Sequence, residues 1–164
     1  MDNTNIRLCE MTFEPSRQFY QEFEQDPDLF TDMTPYIYSA EKSDAAVLRN
    51  QQLGWVHIAT MLNDKPIGEI ILKRIDSVNM HCTLSICMQS NTYKNQGYGT
   101  VAEILALDYA FDQMNMKTVY ADAIHKNIRS QRDLEKVGFK ETQCDDIFIY
   151  YRCDKSRWNR PKMT

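Results

Sequence analysis

The sequence predicts a mixed α/β fold in a layered architecture, and three observations carry that reading. The hydrophobic period changes from about four to two after residue 54 and back again near residue 100. Strand-like and helix-like runs then alternate to the end of the chain. Turn and cap chemistry falls at the junctions.

Element by element, Asn5–Met11 reads as a short first strand. Pro15–Phe23 reads as a helix, with Pro15 near its first turn and Phe19, Tyr20 and Phe23 on one side. Asp26–Tyr38, rich in Pro, Asp and Thr, reads as a loop. Ser39 or Ser43 caps a second helix running to about Leu53, stopped by Gly54. Trp55–Leu62 and Ile67–Ile75 read as a hairpin around the turn residues Asn63-Asp64-Lys65-Pro66. His81–Met88 alternates Leu84, Ile86 and Met88 with Thr83, Ser85 and Cys87, so it is a further strand. Ile104, Leu107, Phe111 and Met114 mark the clearest helix. Thr118–Ile124 is the next strand, Asn127 opens a helix to Val137 that Gly138 stops, and Asp146–Tyr151 is a last β-rich run. The predicted order is β-α-α-β-β-β-α-β-α-β.

At 164 residues the chain fits one domain, 1–164, and 43% apolar residues supply a core without disulfides or metal. Charged residues make up 26%, which argues against disorder, and the net charge of −4 argues against general nucleic-acid binding. The charge is uneven. Residues 1–32 hold eight acids and two bases, whereas the tail from Arg152 holds five bases and one acid. An acidic N-terminal lobe would steer a cationic substrate, although a solvated helix face is the plainer account. The five cysteines lack CxxC spacing, which argues against zinc. No signal peptide precedes them and no run approaches a membrane span, so free thiols in a cytoplasmic protein with no membrane partner are expected.

The candidate site is the run Lys94-Asn95-Gln96-Gly97-Tyr98-Gly99-Thr100, after a strand and at the start of a helix. Free N–H groups and the helix dipole favour an anion there. Gly97 and Gly99 clear the approach, Thr100 adds a hydroxyl, and Lys94 adds charge, a set that suits a pyrophosphate. Two glycines ahead of a helix also make a plain loop. The run is not a Walker loop, since the Gly-Lys-Ser/Thr ending is missing. Nor is it a dinucleotide fingerprint, because Ala102 stands at the third glycine and the candidate acid, Asp122, lies inside its strand.

A second segment, Asn127-Ile128-Arg129-Ser130-Gln131-Arg132-Asp133-Leu134-Glu135-Lys136-Val137-Gly138-Phe139, follows the next strand. Together the two segments resemble the pattern of the GNAT acetyltransferase superfamily. There Arg/Gln-x-x-Gly-x-Gly/Ala cradles the coenzyme A pyrophosphate, and an Asn opens a helix that ends in Gly-Phe. The resemblance spans about Pro66 to Phe139, with Lys94 where Arg or Gln is usual. It looks most similar to the ribosomal-protein N-terminal (RimJ/RimL-like) branch, through Ile67-Gly68-Glu69-Ile70, Leu107-Asp108-Tyr109-Ala110-Phe111 and Asn127-x-x-Ser130. The branch also holds relatives that acetylate other amines, antibiotics among them.

The resemblance implies a central mixed sheet with helices on both faces and two parallel strands that splay apart. It implies acetyl-CoA as co-substrate, pantetheine against the backbone of Ile86, Cys87 and Met88, and a hydrogen bond from Asn127 to the pantetheine arm. It also implies a primary-amine acceptor attacking the thioester directly, the α-amine of a protein or peptide among the candidates; a homodimer is left open. Asn127 serves equally as a plain helix cap.

Two catalytic positions usual in the superfamily are empty. Leu134 stands where a tyrosine acid is common and Thr83 where a glutamate base is common. Ser130, against its reading as an ordinary helix serine, is the candidate helper of the leaving thiolate. Glu69, against its reading as a solvent-facing strand residue, is the candidate base. A backbone N–H near Met88 is the candidate oxyanion donor. His81 and Tyr150 are weaker candidates, and His57 and His125 read as structural or surface residues. Without a strong base, an α-amine near pKa ~7.8, at about 1 kcal/mol to be neutral at pH 7, suits the site better than a lysine-type amine near ~10.4, at roughly 4.6 kcal/mol. Phe30, Tyr36, Tyr38 and Trp55 hint at an apolar acceptor wall. The competing readings are a non-catalytic CoA-binding or regulatory module, an acetyltransferase of a small amine such as a polyamine or aminoglycoside, and a different nucleotide-binding α/β domain.

Overall fold

The computed structural model describes residues 5–29 and 34–163. Seven strands form one sheet in the order β1-β2-β3-β4-β5-β7-β6. In chain order these are β1 Ile6–Glu10, β2 Val56–Leu62, β3 Lys65–Asp76, β4 His81–Met88, β5 Thr118–Ile124, β6 Lys140–Cys144 and β7 Phe148–Asp154. The helices are α1 Phe13–Gln21, α2 Ala40–Gln52, α3 Tyr98–Asp108 and α4 Ile128–Val137. All neighbouring strands are antiparallel except β4 and β5.

The two faces divide the labour. On one face Ile58, Ile70, Leu72 and Leu84 pack with Ile104, Leu107 and Phe111 of the α3 segment and Leu134 and Val137 of α4 as one buried cluster. On the other, α1 packs over β3 and α2 over β2. The Ser16 and Ser43 hydroxyls meet at 2.7 Å between α1 and α2, and Arg17 holds Asp44 at 2.5 Å. Gln89, at the end of β4, is buried, donates to the Phe19 carbonyl at 3.2 Å and accepts from Glu24 N–H at 2.8 Å. That pair of bonds fixes the C-terminal end of α1 over the end of β4.

The cap and turn expectations hold in most places. Ser39, not Ser43, caps α2, accepting from Lys42 N–H at 3.3 Å, and Gly54 ends it at φ 66°. Asn127 caps α4 through Ser130 N–H at 3.2 Å, and Gly138 ends it at φ 112°. Four corrections stand beside them. The hairpin turn is only Asn63-Asp64, both at positive φ, and Lys65 and Pro66 already belong to β3. α1 begins at Phe13, which leaves Pro15 in its first turn. The α3 pattern does not stay α-helical to Met114 but loosens into a π turn over Tyr109–Gln113. β6 has no counterpart in the predicted order, because its residues are polar and all exposed, with no alternation to read.

Candidate functional site

β4 and β5 pair only from His81↔Thr118 to Leu84↔Ala121. Beyond that they part, and residues 85–88 and 122–124 face a gap at the C-terminal ends of two parallel strands. α3 follows β4 and α4 follows β5, so both helix N-termini open on that gap. A cavity of about 300 Å³ fills it.

Most of the predicted residues meet there. Ile86, Cys87, Met88, Lys94, Asn95, Gly97, Gly99, Thr100, Asn127 and Ser130 all line the cavity. Gln96 and Tyr98 do not: Gln96 donates to the Thr92 carbonyl and Tyr98 packs near Tyr93, ring centroids 6.5 Å apart. The backbone of the three β4 residues is not equivalent. Gln89 N–H donates to Ile67 O at 2.9 Å, and Cys87 pairs with Glu69 in the same register. Alternation then turns the N–H and C=O of Cys87 toward β3 and those of Ile86 and Met88 toward the gap. Cys87 therefore offers the cavity its side chain only. Burial, with Glu69 nearby, pushes its thiol up to about 12 against the opposing pull of Lys94, so it stays protonated and is no nucleophile.

The cradle at the start of α3 fits an anion. Val101 N–H closes the first turn on Gly97 O at 3.0 Å, which leaves the N–H groups of Tyr98, Gly99 and Thr100 without helical partners. Gly97 sits at φ 81°, a conformation glycine supplies. A Cβ on Gly99 would meet nothing nearer than Asp133 Oδ2 at 4.0 Å, so its own fold does not demand glycine there; the space it leaves belongs to the cavity. Thr100 Oγ1 donates to Asp133 Oδ1 at 3.2 Å and is not simply free for phosphate. Lys94 Nζ lies 2.7 Å from Asp26 Oδ2 with both side chains largely buried, and Arg129 reaches the same oxygen at 3.5 Å. Asp26, Phe23, Glu24 and Leu29 bring the segment after α1 over the cavity, which no sequence signal announced.

Glu69 is not solvent-facing. It is buried, and its carboxylate accepts from Tyr20 Oη at 2.8 and 2.9 Å while Oε1 lies 2.6 Å from His57 Nε2. Asn50 Nδ2 is 3.1 Å from His57 Nδ1. With Asn50 donating to Nδ1, the imidazole proton sits on Nε2 and points at Glu69. Burial first, and Glu69 second, hold the Tyr20 phenol above its ordinary range, so it remains a donor. Of the two readings of His57, structural or surface, burial supports the structural one, and Asn50–His57–Glu69–Tyr20 form one chain from α2 to α1 across β2 and β3. Glu69 stands beside Cys87 on the same face of the sheet, immediately behind the cavity wall.

Other candidates fall away. His81 opens β4, seven residues and about 23 Å of strand from Met88. Tyr150 donates to Asp145 at 2.7 Å, and His125 Nε2 lies 2.7 Å from the Asp145 carbonyl oxygen. Leu134 is core. Tyr36 joins Tyr20 and Phe23 in a ring cluster, with centroids 5.3 to 6.1 Å apart, but Trp55 lines a different pocket, with Leu8 and Met11, and Phe30 lies outside the described residues. Among the described residues, no helix is long and apolar enough to cross a membrane, and all five cysteines are free.

The acetyltransferase (GNAT) domain family model matches residues 6–140. A sequence comparison with curated proteins gives no significant match. Solved structures share the fold at low identity. Spermidine N-acetyltransferase from Vibrio cholerae, in complex with CoA and spermine, superposes with TM-score 0.79 at 15% identity, over 94% of this chain and 98% of its own. Ribosomal-protein-S5-alanine acetyltransferase from Vibrio fischeri gives 0.76 at 13%, over 97% and 98%. RimJ from Mycobacterium smegmatis, in complex with CoA-disulfide, gives 0.80 at 12%, over 92% and 82%. With the family model covering most of the chain, and a cradle and splayed strands where the fold requires them, the chain belongs to the GNAT acetyltransferase family, an acetyl-CoA-dependent N-acetyltransferase acting on an amine.

Proposed function

We propose that residues 1–164 act as a single domain in which Glu69 takes the proton of a primary amine while that amine attacks the thioester directly. The observation that supports this most is the buried carboxylate itself. His57 and Tyr20 occupy part of its acceptor capacity and fix its rotamer, which leaves lone pairs for an ammonium proton. The family's usual base position on β4 is Thr83, and Glu69 supplies a carboxylate from the neighbouring strand, beside Cys87.

The co-substrate's pyrophosphate sits on the N–H groups of Tyr98, Gly99 and Thr100, with Asn95, Gln96 and Gly97 shaping the loop. Lys94 contributes once it shares or exchanges Asp26. Pantetheine bonds to Ile86 and Met88 and to Asn127, and Met88 N–H faces the developing oxyanion. Ser130, on the cavity wall, helps the departing thiolate. The Cys87 thiol, held neutral, leaves direct attack as the simpler course than a cysteine acyl-enzyme.

A carboxylate base alters the acceptor argument. It lowers the disadvantage of roughly 4.6 kcal/mol that an alkylamine carries at pH 7. The names of the structural neighbours cover both classes, a polyamine and a ribosomal-protein alanine. The five free thiols suit a reducing compartment, and we place the protein in the cytoplasm.

The test is Glu69→Gln, assayed by thiol release from acetyl-CoA with spermidine and with an alanine-initiated peptide, from pH 6.5 to 9.5. Loss of a general base should lower kcat/KM by about 10²–10⁴ at pH 7, narrowing as the amine deprotonates itself. A loss under threefold at pH 7, in a variant that melts normally, removes Glu69 as the base. Stabilisation by CoA with no turnover of any amine by the unaltered protein would instead favour the CoA-binding module.

A further inference from the structure

A second cavity, of about 860 Å³, lies at the far end of the sheet. Lys117, Lys140, Arg152, Lys155 and Arg157 line it, with Asp154 as its one acid. They come from three separate stretches: the residue before β5, the first residue of β6, and the end of β7 with the turn after it. β5 separates this cavity from the acyl site, because Thr118 is at the groove while Ile124 leads to Asn127, about 20 Å away along the strand. Three of the five tail bases, Arg152, Lys155 and Arg157, are therefore gathered with Lys117 and Lys140 around one depression, while Arg160 pairs with Asp108.

The gathering is built. Lys117 N–H donates to Met80 O at 2.7 Å, and its carbonyl accepts from Lys155 N–H at 2.9 Å, so the backbone that carries both lysines is fixed. Trp158 forms the floor. Its Nε1 donates to Val137 O at 2.8 Å, its ring packs on Phe111 with centroids 5.2 Å apart, and it fills the space beside Gly138, where a Cβ would come within 2.9 Å. Asp154 is already engaged by Thr118 at 2.7 Å and Arg152 at 2.8 Å, and Lys155 by Asp112 at 2.9 Å. Among the described residues, Lys117, Lys140 and Arg157 form no ion pair with a carboxylate within 4.0 Å. In a chain of net charge −4, these three cations without an ion pair, beside the paired Arg152 and Lys155, create a local positive field that a bound anion would relieve.

We propose that this groove binds a phosphate-bearing polyanion, independently of the acetyl-transfer site. Point-charge lysines and forked arginines around an aromatic floor match the chemistry of clustered phosphates, and the volume accommodates a group of nucleotide size. The phosphates have two sources to tell apart, a free polyphosphate and a nucleic-acid backbone.

The experiment is calorimetric titration of the whole chain, saturated with acetyl-CoA to occupy the acyl site, with inorganic tripolyphosphate and separately with a twelve-nucleotide RNA. Binding at 50 mM KCl should weaken by roughly tenfold at 200 mM. The double variant Lys140→Glu/Arg157→Glu should weaken it by at least tenfold, while its melting temperature and thiol-release rate stay as in the parent. Tripolyphosphate heat that disappears in the variant identifies a free-polyphosphate site. Heat from RNA alone, lost in the same variant, identifies a backbone site. No binding of either probe at 50 mM KCl, or equal binding by the double variant, overturns the proposal.

Discussion

Glu103 is the group whose replacement tests the electrostatics of the acyl site most directly. It lies on α3 one turn beyond Thr100, is 2% exposed, and lines the cavity wall. Its Oε2 is buried with no hydrogen-bond partner. Burial first, and the neighbouring Asp133 second, hold its carboxyl well above the ordinary range. The folded state therefore binds this proton more tightly than the unfolded state. Stability is fully present below the unfolded pKa, near ~4.3, and is lost as pH rises toward the folded value, at up to about 1.4 kcal/mol per pH unit. Glu103→Gln has nearly the same shape and cannot ionise. Gln keeps an unpaired polar atom there, so the gain comes only from escaping ionisation, about 1.4 kcal/mol for each pH unit of that loss. For 164 residues the unfolding entropy is roughly 0.34 kcal/mol/K, so the variant should melt higher at pH 8 by up to about 4 °C for each pH unit of that loss, with the gain fading toward pH 4.5. Scanning calorimetry across that range, with and without acetyl-CoA, reads both terms. The ligand-induced shift should not shrink, because a potential negative charge has left the wall of the proposed pyrophosphate site. A variant that melts no higher at pH 8, or by the same margin at pH 5 and pH 8, would refute the ionisation argument.

Other outcomes follow from the same geometry. Gly99→Val should keep the protein's own melting temperature, since the added atoms enter open space, but remove most of the stabilisation by acetyl-CoA, about 8 °C at a hundredfold excess over Kd; an unchanged shift would move the pyrophosphate elsewhere. Gly97 is the poorer probe, because its φ of 81° strains any replacement. Ser130→Ala keeps the backbone N–H that caps α4 and should lower kcat by about tenfold to a hundredfold with little change in acetyl-CoA affinity, and full kcat would end its catalytic role. Leu134→Ala should cost about 2–5 kcal/mol in a denaturant melt through lost core packing and leave kcat of the folded enzyme intact.

Sequence patterns were legible where one face of an element is buried and the other is not. β5 alternates in burial and begins and ends where the sequence pattern does, and α4 runs between a capping Asn127 and a stopping Gly138. The same logic explains the failures. β6 lies at the sheet edge with every residue exposed, so Lys140–Cys144 carries no hydrophobic signal. The glycine cradle was legible because its chemistry is local, one loop and one helix end. The segment holding Phe23 and Asp26 was not, because it reaches the cavity only through the tertiary bonds of Gln89 to α1 and of Lys94 to Asp26.

The proposed base shows why a single residue pattern fell short. His57 and Glu69 look unrelated in sequence, twelve residues apart across a turn. A two-residue turn at Asn63-Asp64 pairs Leu62 with Lys65 and Met61 with Pro66. Continued without interruption, that register would set Glu69 opposite Ile58 and leave His57 on the other face, since a slip of one residue reverses every side chain. The ladder does not continue so. A bulge between Thr60 and Met61 leaves Ile67 as the extra residue, and from there Thr60 faces Gly68, Ala59 faces Glu69 and His57 faces Ile71. Pro66, with no N–H to give the ladder, sits beside the irregularity, where its loss is tolerated. Glu69 and His57 thereby become diagonal neighbours on the face that α1 and α2 cover, close enough for a bond of 2.6 Å. Gly68 lies on the opposite face, where a side chain would press on Met88 and Thr60 at 3.2 Å. The buried carboxylate, its histidine and the unobstructed end of β4 all depend on the one extra residue in β3, which is a property of pairing and not of composition.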